Sequence, residues 1–396
     1  MTAPKLRFSE FKDEWNEKLL SDFTTFSKGK GLSKSDIVKN GKNPCIRYGE
    51  LYTTYGSTIS ETISYTNLDK NNCVLSKKNQ IIIPSSGETQ IDIATASCVL
   101  SDDIILGGDL NILTTNENGI FLAYYLSSAK KNDIAQLAQG NSVVHLYAKE
   151  LATLKINYPS KEEQTKIAEF LSAVDDKISQ LSRQLELLNQ YKKGVMQKIF
   201  SQEIRFKNDN GEDFGEWDYL QLGELIEESK AVSKKQDEFD VLTSSRRGLI
   251  KQSKYFEGSR LIDRDNVGFN IIKPHEITYR SRSDDGLFYF NFNSLGITGI
   301  ISTYYPVFSF KNSNNKFVTE YLNFNKADFS KYAVGTSQLV LSLNALRTVK
   351  LRIPSKPEQQ KIAGFLTAID ERIDHTTAQL THTKQWKKGL LQQMFV

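Results

Sequence analysis

YPSKEEQTKIAEFLSAVDDKI at Tyr158–Ile178 and IPSKPEQQKIAGFLTAIDERI at Ile353–Ile373 are near copies, 195 positions apart. Pairing each residue with the one 195 later, from Ile156–Leu351 to Phe200–Phe395, gives 21 identities in 45 positions without a gap. The match holds at both ends, in Pro159-Ser160-Lys161 against Pro354-Ser355-Lys356 and Lys192-Lys193-Gly194 against Lys387-Lys388-Gly389. Two unrelated surface helices would not share length, phase and caps. This is a duplicated unit.

Each copy opens on an S-x-x-E capping box, Ser160 with Glu163 and Ser355 with Glu358, in which serine and glutamate are expected to satisfy each other's backbone donors. Behind the cap, Ile167, Leu171, Val174, Ile178, Leu181, Leu185, Leu188, Val195 and Ile199 follow a 4-3 alternation that only Lys192 interrupts. The second copy supplies Ile362, Leu366, Ile369, Ile373, Leu380, Leu390 and Met394, with Thr376, Thr383 and Lys387 at the remaining places. A period of 3.5 sustained over four to five heptads is a coiled-coil seam. Each helix should run about 35–40 residues, roughly 50–60 Å, and Gly194 and Gly389 are places where it would fray or end. Two such seams in one chain most simply bury each other.

Weaker echoes extend the repeat. Ala138, Gly140, Ser142, Leu146, Leu151 and Lys155 recur 195 positions later as Ala333, Gly335, Ser337, Leu341, Leu346 and Lys350. Glu14-Trp15 returns as Glu216-Trp217, and Phe121-x3-Tyr125-Leu126 as Phe317-x3-Tyr321-Leu322. Between the echoes the sequences diverge, with short β-rich runs such as Asn79–Pro84, Asp103–Leu106, Gly286–Phe292 and Gly299–Tyr304 and a helix around Phe121–Leu126. The expected organisation is a mixed α/β (α+β) chain of two globular domains, each followed by a long helix. Domain one covers 1–157, its helix 158–202, domain two 203–352 and its helix 353–396. If the helices pair as an antiparallel coiled coil, a pseudo-two-fold axis relates the halves. A shared frame with divergent filling is one architecture aimed at two targets.

The bulk numbers permit this. At 396 residues, 39% apolar and 25% charged, the chain has room for two cores, and a formal charge of +4 is compatible with nucleic acid without requiring it. No signal-peptide core and no run of about 20 apolar residues occurs, so a cytoplasmic, non-membrane protein is expected. Cys45, Cys73 and Cys98 form no CxxC pair and read as reduced structural thiols.

Marks of catalysis are missing. There is no GxxxxGK[ST], and KGKGLSKS at Lys28–Ser35 lacks phosphate-cradling spacing. Gly107-Gly108-Asp109 reads as a tight turn. Asn43-Pro44-Cys45 shares two letters with the Pro-Cys nucleophile of cytosine methyltransferases, with no donor-binding motif beside it. His145, His275, His375 and His382 have no metal-ligand partner at useful spacing. The domains instead carry polar, basic and aromatic loops. Arginine reads guanine edges bidentately, glutamine and asparagine read adenine, and hydroxyls serve base or phosphate. Candidate DNA contacts in the first domain are Lys28, Lys30, Arg47, Tyr48, Ser85, Ser86, Glu88, Gln90 and Ser142. In the second they are Arg246, Arg247, Lys254, Arg280, Arg282, Ser283, Ser337 and Gln338. Any one such loop is as readily a solvated turn. On the loops alone, nucleic-acid recognition and protein binding are equally open.

The alternation of variable domain and repeated helix resembles the specificity (S) subunits of Type I restriction–modification enzymes. So do the PSxxEQxKIAxFLxxxD boxes at Pro159–Asp175 and Pro354–Asp370 and the PKLRF opening at Pro4–Phe8. The resemblance covers essentially the whole chain. It implies a non-catalytic protein whose two domains each read half of a split double-stranded DNA target through the major groove. It further implies that the helices space the domains and dock two methyltransferase subunits, which restriction subunits join. S-adenosylmethionine, ATP and Mg would then belong to the partner subunits, with no cofactor or metal on this chain. A stand-alone DNA-binding regulator with tandem readers is the alternative, but it would need an effector or oligomerisation module for which no sequence is left over.

Overall fold

The computed structural model describes residues 3–140, 142–246, 248–255 and 265–395. The chain divides into two compact units, Met1–Arg183 with Thr377–Val396, and Gln184–Thr376. The first stem helix, Lys161–Phe200, has 40 residues and the second, Lys356–Gln393, has 38. Each starts in one unit and ends in the other. Gly194 and Gly389 do not end them. A glycine costs a helix about 1 kcal/mol against alanine, and this is outweighed by the buried side chains beyond it: Ile199 and Phe200 in one helix, Leu390 in the other and Met394 just past its end.

The seam buries as its period requires. In the first unit Ile167, Leu171 and Val174 share a core with Leu390 and Met394 and with Phe121 and Tyr125 of the domain. In the second unit Ile362, Leu366 and Ile369 do the same with Ile199, Phe200, Trp217 and Phe317. The head of one helix thus meets the tail of the other in each unit, so the pair runs antiparallel. Leu171 and Leu366 are both 0% exposed. Ile178, Leu185, Ile373 and Leu380, nearer the helix middles, are half-buried. The polar interruptions are paired: Lys387 Nζ lies 2.5 Å from Asp175 in unit one, and Lys192 Nζ lies 2.6 Å from Asp370 in unit two. These two contacts are repeat equivalents.

The caps differ from the reciprocal box. Ser160 Oγ accepts the Glu163 N–H at 3.4 Å, but the Glu163 carboxylate is taken by Arg7, whose Nε and Nη2 each donate at 2.7 Å. Glu358 receives Arg205 in the same way, at 3.1 and 2.8 Å. A guanidinium fork matches a carboxylate better than one backbone N–H does. Leu6-Arg7-Phe8 is echoed by Ile204-Arg205-Phe206, 198 positions later. Phe8 packs edge-on to Phe170 and Phe206 to Phe365, at 5.8 and 5.5 Å between ring centres. A short strap before each domain therefore clamps the start of the helix that follows that domain.

Each domain is closed at its base by its first and last strands, Asn16–Leu19 antiparallel to Lys155–Tyr158 and Asp218–Gln221 antiparallel to Lys350–Ile353. The first domain holds a five-stranded sheet in the order Thr24–Lys28, Leu110–Thr115, Ile81–Pro84, Ser97–Val99, Thr58–Ile59. A three-stranded sheet, Ser64–Thr66, Asn43–Ile46, Ile105–Leu106, lies in the same domain. The second has two four-stranded sheets, one built around Val307–Phe310 and Ile277–Tyr279, the other around Asp240–Ser245 and Gly299–Ile301. Helices Gly119–Ser127 and Asn315–Phe324 start on equivalent caps, Asn118 and Asn314, and bring Phe121 and Phe317 to the stem. The fold is mixed α/β, as the β-rich runs and the stem seam require.

Candidate nucleic-acid interface

Both domains carry the same small frame: a tight hairpin, in which Gln139 bridges His145 and Val334 bridges Val340, whose second strand also pairs with a segment from far along the chain. In the first, Val144–His145 pairs antiparallel with Ser86–Gly87; in the second, Leu339–Val340 pairs with Arg282–Ser283. The echoed glycines make the turn. Gly140 has φ +113° and Gly335 φ +127°, and a Cβ there would sit 2.3 Å from the Val143 carbonyl oxygen or 2.2 Å from that of Gln338. That conformation favours glycine, which is why Ala-x-Gly-x-Ser recurs.

In the second domain this frame borders a cleft of about 900 Å³ lined by Thr243–Arg246, Lys254, Tyr255, Arg280, Arg282–Asp285, Tyr289 and Tyr305. Five sequence candidates, Arg246, Lys254, Arg280, Arg282 and Ser283, come together here. Arg246 Nη2 donates to Asp285 Oδ2 at 2.6 Å and its guanidinium lies 5.6 Å from the Tyr289 ring centre. Arg282 lies 4.6 Å from the ring centre of Tyr304. Gln338 donates to Asp284 Oδ1 at 2.8 Å, so it adjoins the cleft, while Ser337 is exposed on the hairpin turn. Hydrogen bonds from the Ser283 hydroxyl and then the Leu287 amide hold the Asp285 carboxyl below the usual carboxylate range. Arg247 lies outside the described residues. The sequence reading missed Asp284 and Asp285 as partners and Tyr289 and Tyr304 as ring surfaces. The only signal was an acidic pair directly after the Arg280–Ser283 run.

The first domain gathers its candidates differently. Helix Tyr48–Thr53 packs on strand Ser86–Gly87, and helix Gln90–Ile93 packs on both Ser86–Gly87 and Val144–His145. Arg47, Tyr48, Glu88 and Gln90 are thereby brought around this frame, with Arg47 and Tyr48 half-buried and Glu88, Gln90 and Ser142 exposed. Backbone bonds from Gly107 to Ile46 and from Lys30 to Leu106 set the exposed Lys28–Lys30 loop beside Arg47. Lys28 Nζ lies 6.0 Å from the Tyr147 ring centre, just beyond the hairpin. Ser85 and Ser86 are each only 7% exposed. Ser85 holds the frame by accepting the Leu146 N–H at 3.0 Å.

Two divergent heads with basic and aromatic faces, mounted on duplicated paired helices, define a two-headed recognition protein. The chain belongs to the Type I restriction modification DNA specificity domain family, whose description matches it twice, at residues 12–190 and 215–383. Among its relatives, the Type I restriction enzyme MjaVIII specificity subunit of Methanocaldococcus jannaschii is 23% identical, over 96% of this chain and 91% of that protein. In fold it is similar to the crystal structure of a Type I restriction–modification S subunit from M. genitalium, with TM-score 0.64, 16% identity, and 100% and 99% of the two chains covered. A chain from a structure describing complex assembly and conformational transition of the Type I R-M system is also similar, with TM-score 0.50 and 14% identity over 95% and 96% of the chains. Among the described residues no helix is long and apolar enough to cross a membrane.

Proposed function

We propose that this chain is the DNA-specificity subunit of a Type I restriction–modification complex, each domain reading one half of a bipartite target. The observation that carries this reading is the contrast between stem and heads. The stem repeats with 21 identities in 45 positions, while equivalent places of the frame are filled by Ser85-Ser86-Gly87 in one domain and Ser281-Arg282-Ser283 in the other, with different exposed residues around them. One scaffold holds two different readers. The exposed lysines and arginines supply phosphate contacts that fix register, and the loop side chains meet base edges in the major groove. The stem helices space the readers and dock two methyltransferase subunits, which restriction subunits join. The chain itself does no chemistry. Methyl transfer from S-adenosylmethionine and the ATP- and Mg-dependent steps are assigned to the partner subunits.

The test is co-expression with a Type I methyltransferase subunit, affinity recovery through this chain, and mapping of methylated adenines in the cells. Recovery of methyltransferase and a motif split by an unread gap are expected. A chain that binds DNA without retaining methyltransferase, or a single uninterrupted motif, would defeat the reading.

A further inference from the structure

We propose that Arg246 is the guanine-reading side chain of the second domain, aimed by Asp285 as its positioning residue. The inference rests on the cleft being a DNA interface. Four cations line that cleft: Arg246, Lys254, Arg280 and Arg282. Among the described residues Arg246 alone of the four pairs with a carboxylate, through Nη2 at 2.6 Å from Asp285. Asp285 is itself fixed, because its Oδ1 accepts the Ser283 hydroxyl at 2.9 Å and the Leu287 N–H at 3.2 Å. Tyr289 covers the guanidinium at 5.6 Å, and the backbone emerges from strand Asp240–Ser245. Arg246 is therefore restrained at one edge and one face.

Phosphate contact asks for charge and tolerates a moving side chain, whereas a base edge asks for a fixed angle as well. Arg280 and Arg282, which pair with no carboxylate among the described residues, suit the first task. Arg246 suits the second. A guanidinium has five donors; with one engaged by Asp285, four remain, and two of them suffice for the O6 and N7 acceptors of guanine, the commonest specific contact in the major groove. Stability does not explain the pair, since the side chains are 65% and 37% exposed and exposed ion pairs add little.

The experiment maps adenine methylation in cells carrying the full complex with the wild-type chain, Arg246→Ala, Arg246→Lys, Asp285→Asn and the Arg246→Ala/Asp285→Asn double variant. Arg246→Ala and Arg246→Lys should each relax one guanine of one half-site by roughly ten- to hundredfold, leaving the other half and the gap unchanged. Asp285→Asn should relax the same position more weakly, and the double variant should match Arg246→Ala. A merely structural role for Asp285 would not act on one position, nor vanish in the Arg246→Ala background. If Arg246→Ala abolishes methylation altogether, Arg246→Lys decides, since it keeps the charge and the fold. A split wild-type motif that Arg246→Lys leaves intact, or a relaxed position that is not guanine, overturns the inference alone. A wild type with no split motif takes the functional reading down with it.

Discussion

Glu163 is the residue on which the first unit's clamp turns. Its side chain is 2% exposed and its charge is balanced by Arg7 from 156 positions earlier. Arg7→Ala would leave a buried carboxylate without its partner, which costs about 3 kcal/mol. Denaturant titration should show that loss, and Arg205→Ala should show one of similar size, because Glu358 sits in the same contact. A midpoint unmoved by either change would mean that the straps are ornamental. The cysteines give a second prediction. Burial pushes the Cys45 thiol up to about 11 and the Cys98 thiol up to about 12, and both are 0% exposed. The thiolate is the reactive form, so alkylation of the native chain near neutral pH should fall on half-exposed Cys73. Peptide mass spectrometry after brief labelling would read this, and early modification of Cys98 would contradict it.

At the level of the element, the stem helices take their stability from what they bury. Leu171→Asp or Leu366→Asp would put an unpaired charge into a fully enclosed place, at a cost of several kcal/mol. Soluble yield and methyltransferase recovery should both collapse; a variant that assembles normally would show that the seam is not where the helices hold. The seam was legible because a 3.5-residue period over so many turns has few other causes. The role of Glu163 and Glu358 was not, because the capping-box pattern is local and the competing arginines lie 156 and 153 positions away. The cleft was half legible. Arg246, Arg280 and Arg282 advertised themselves as basic loop residues, but the brace of Asp285 depends on which loop folds back on which.

For the whole molecule, the prediction concerns length. Four residues inserted after Gln180 add about one turn to the first stem helix, ~5–6 Å, while nearly keeping its seam in phase. Gln180 itself is exposed, and the buried seam residue that follows it, Leu181, is carried along by about one whole turn, which keeps it on the seam side. One base pair rises about 3.4 Å, and the methylated motif should gain one or two unread base pairs with both half-sites unchanged. An unaltered gap, or a changed half-site, would show that the stem is no ruler. How many base pairs the native stem spans was not legible, because composition and period give a helix its length but not the pose of its cargo.

The discontinuity of the first unit has a temporal meaning. Phe395 packs on Phe121 and Tyr125 at 5.6 and 5.5 Å, and Leu390 and Met394 complete the same core. A growing chain releases its first domain early, at about 5–20 residues per second, yet that domain's base stays only partly covered, by Ile167, Leu171 and Val174 of the first helix, until the ribosome has delivered residue 395. Nascent chains arrested after Thr376 should therefore keep the Phe121–Tyr125 face open to a protease or a chaperone, although both heads have been synthesised. The closing tail makes maturation of the first head wait for completion of the second stem.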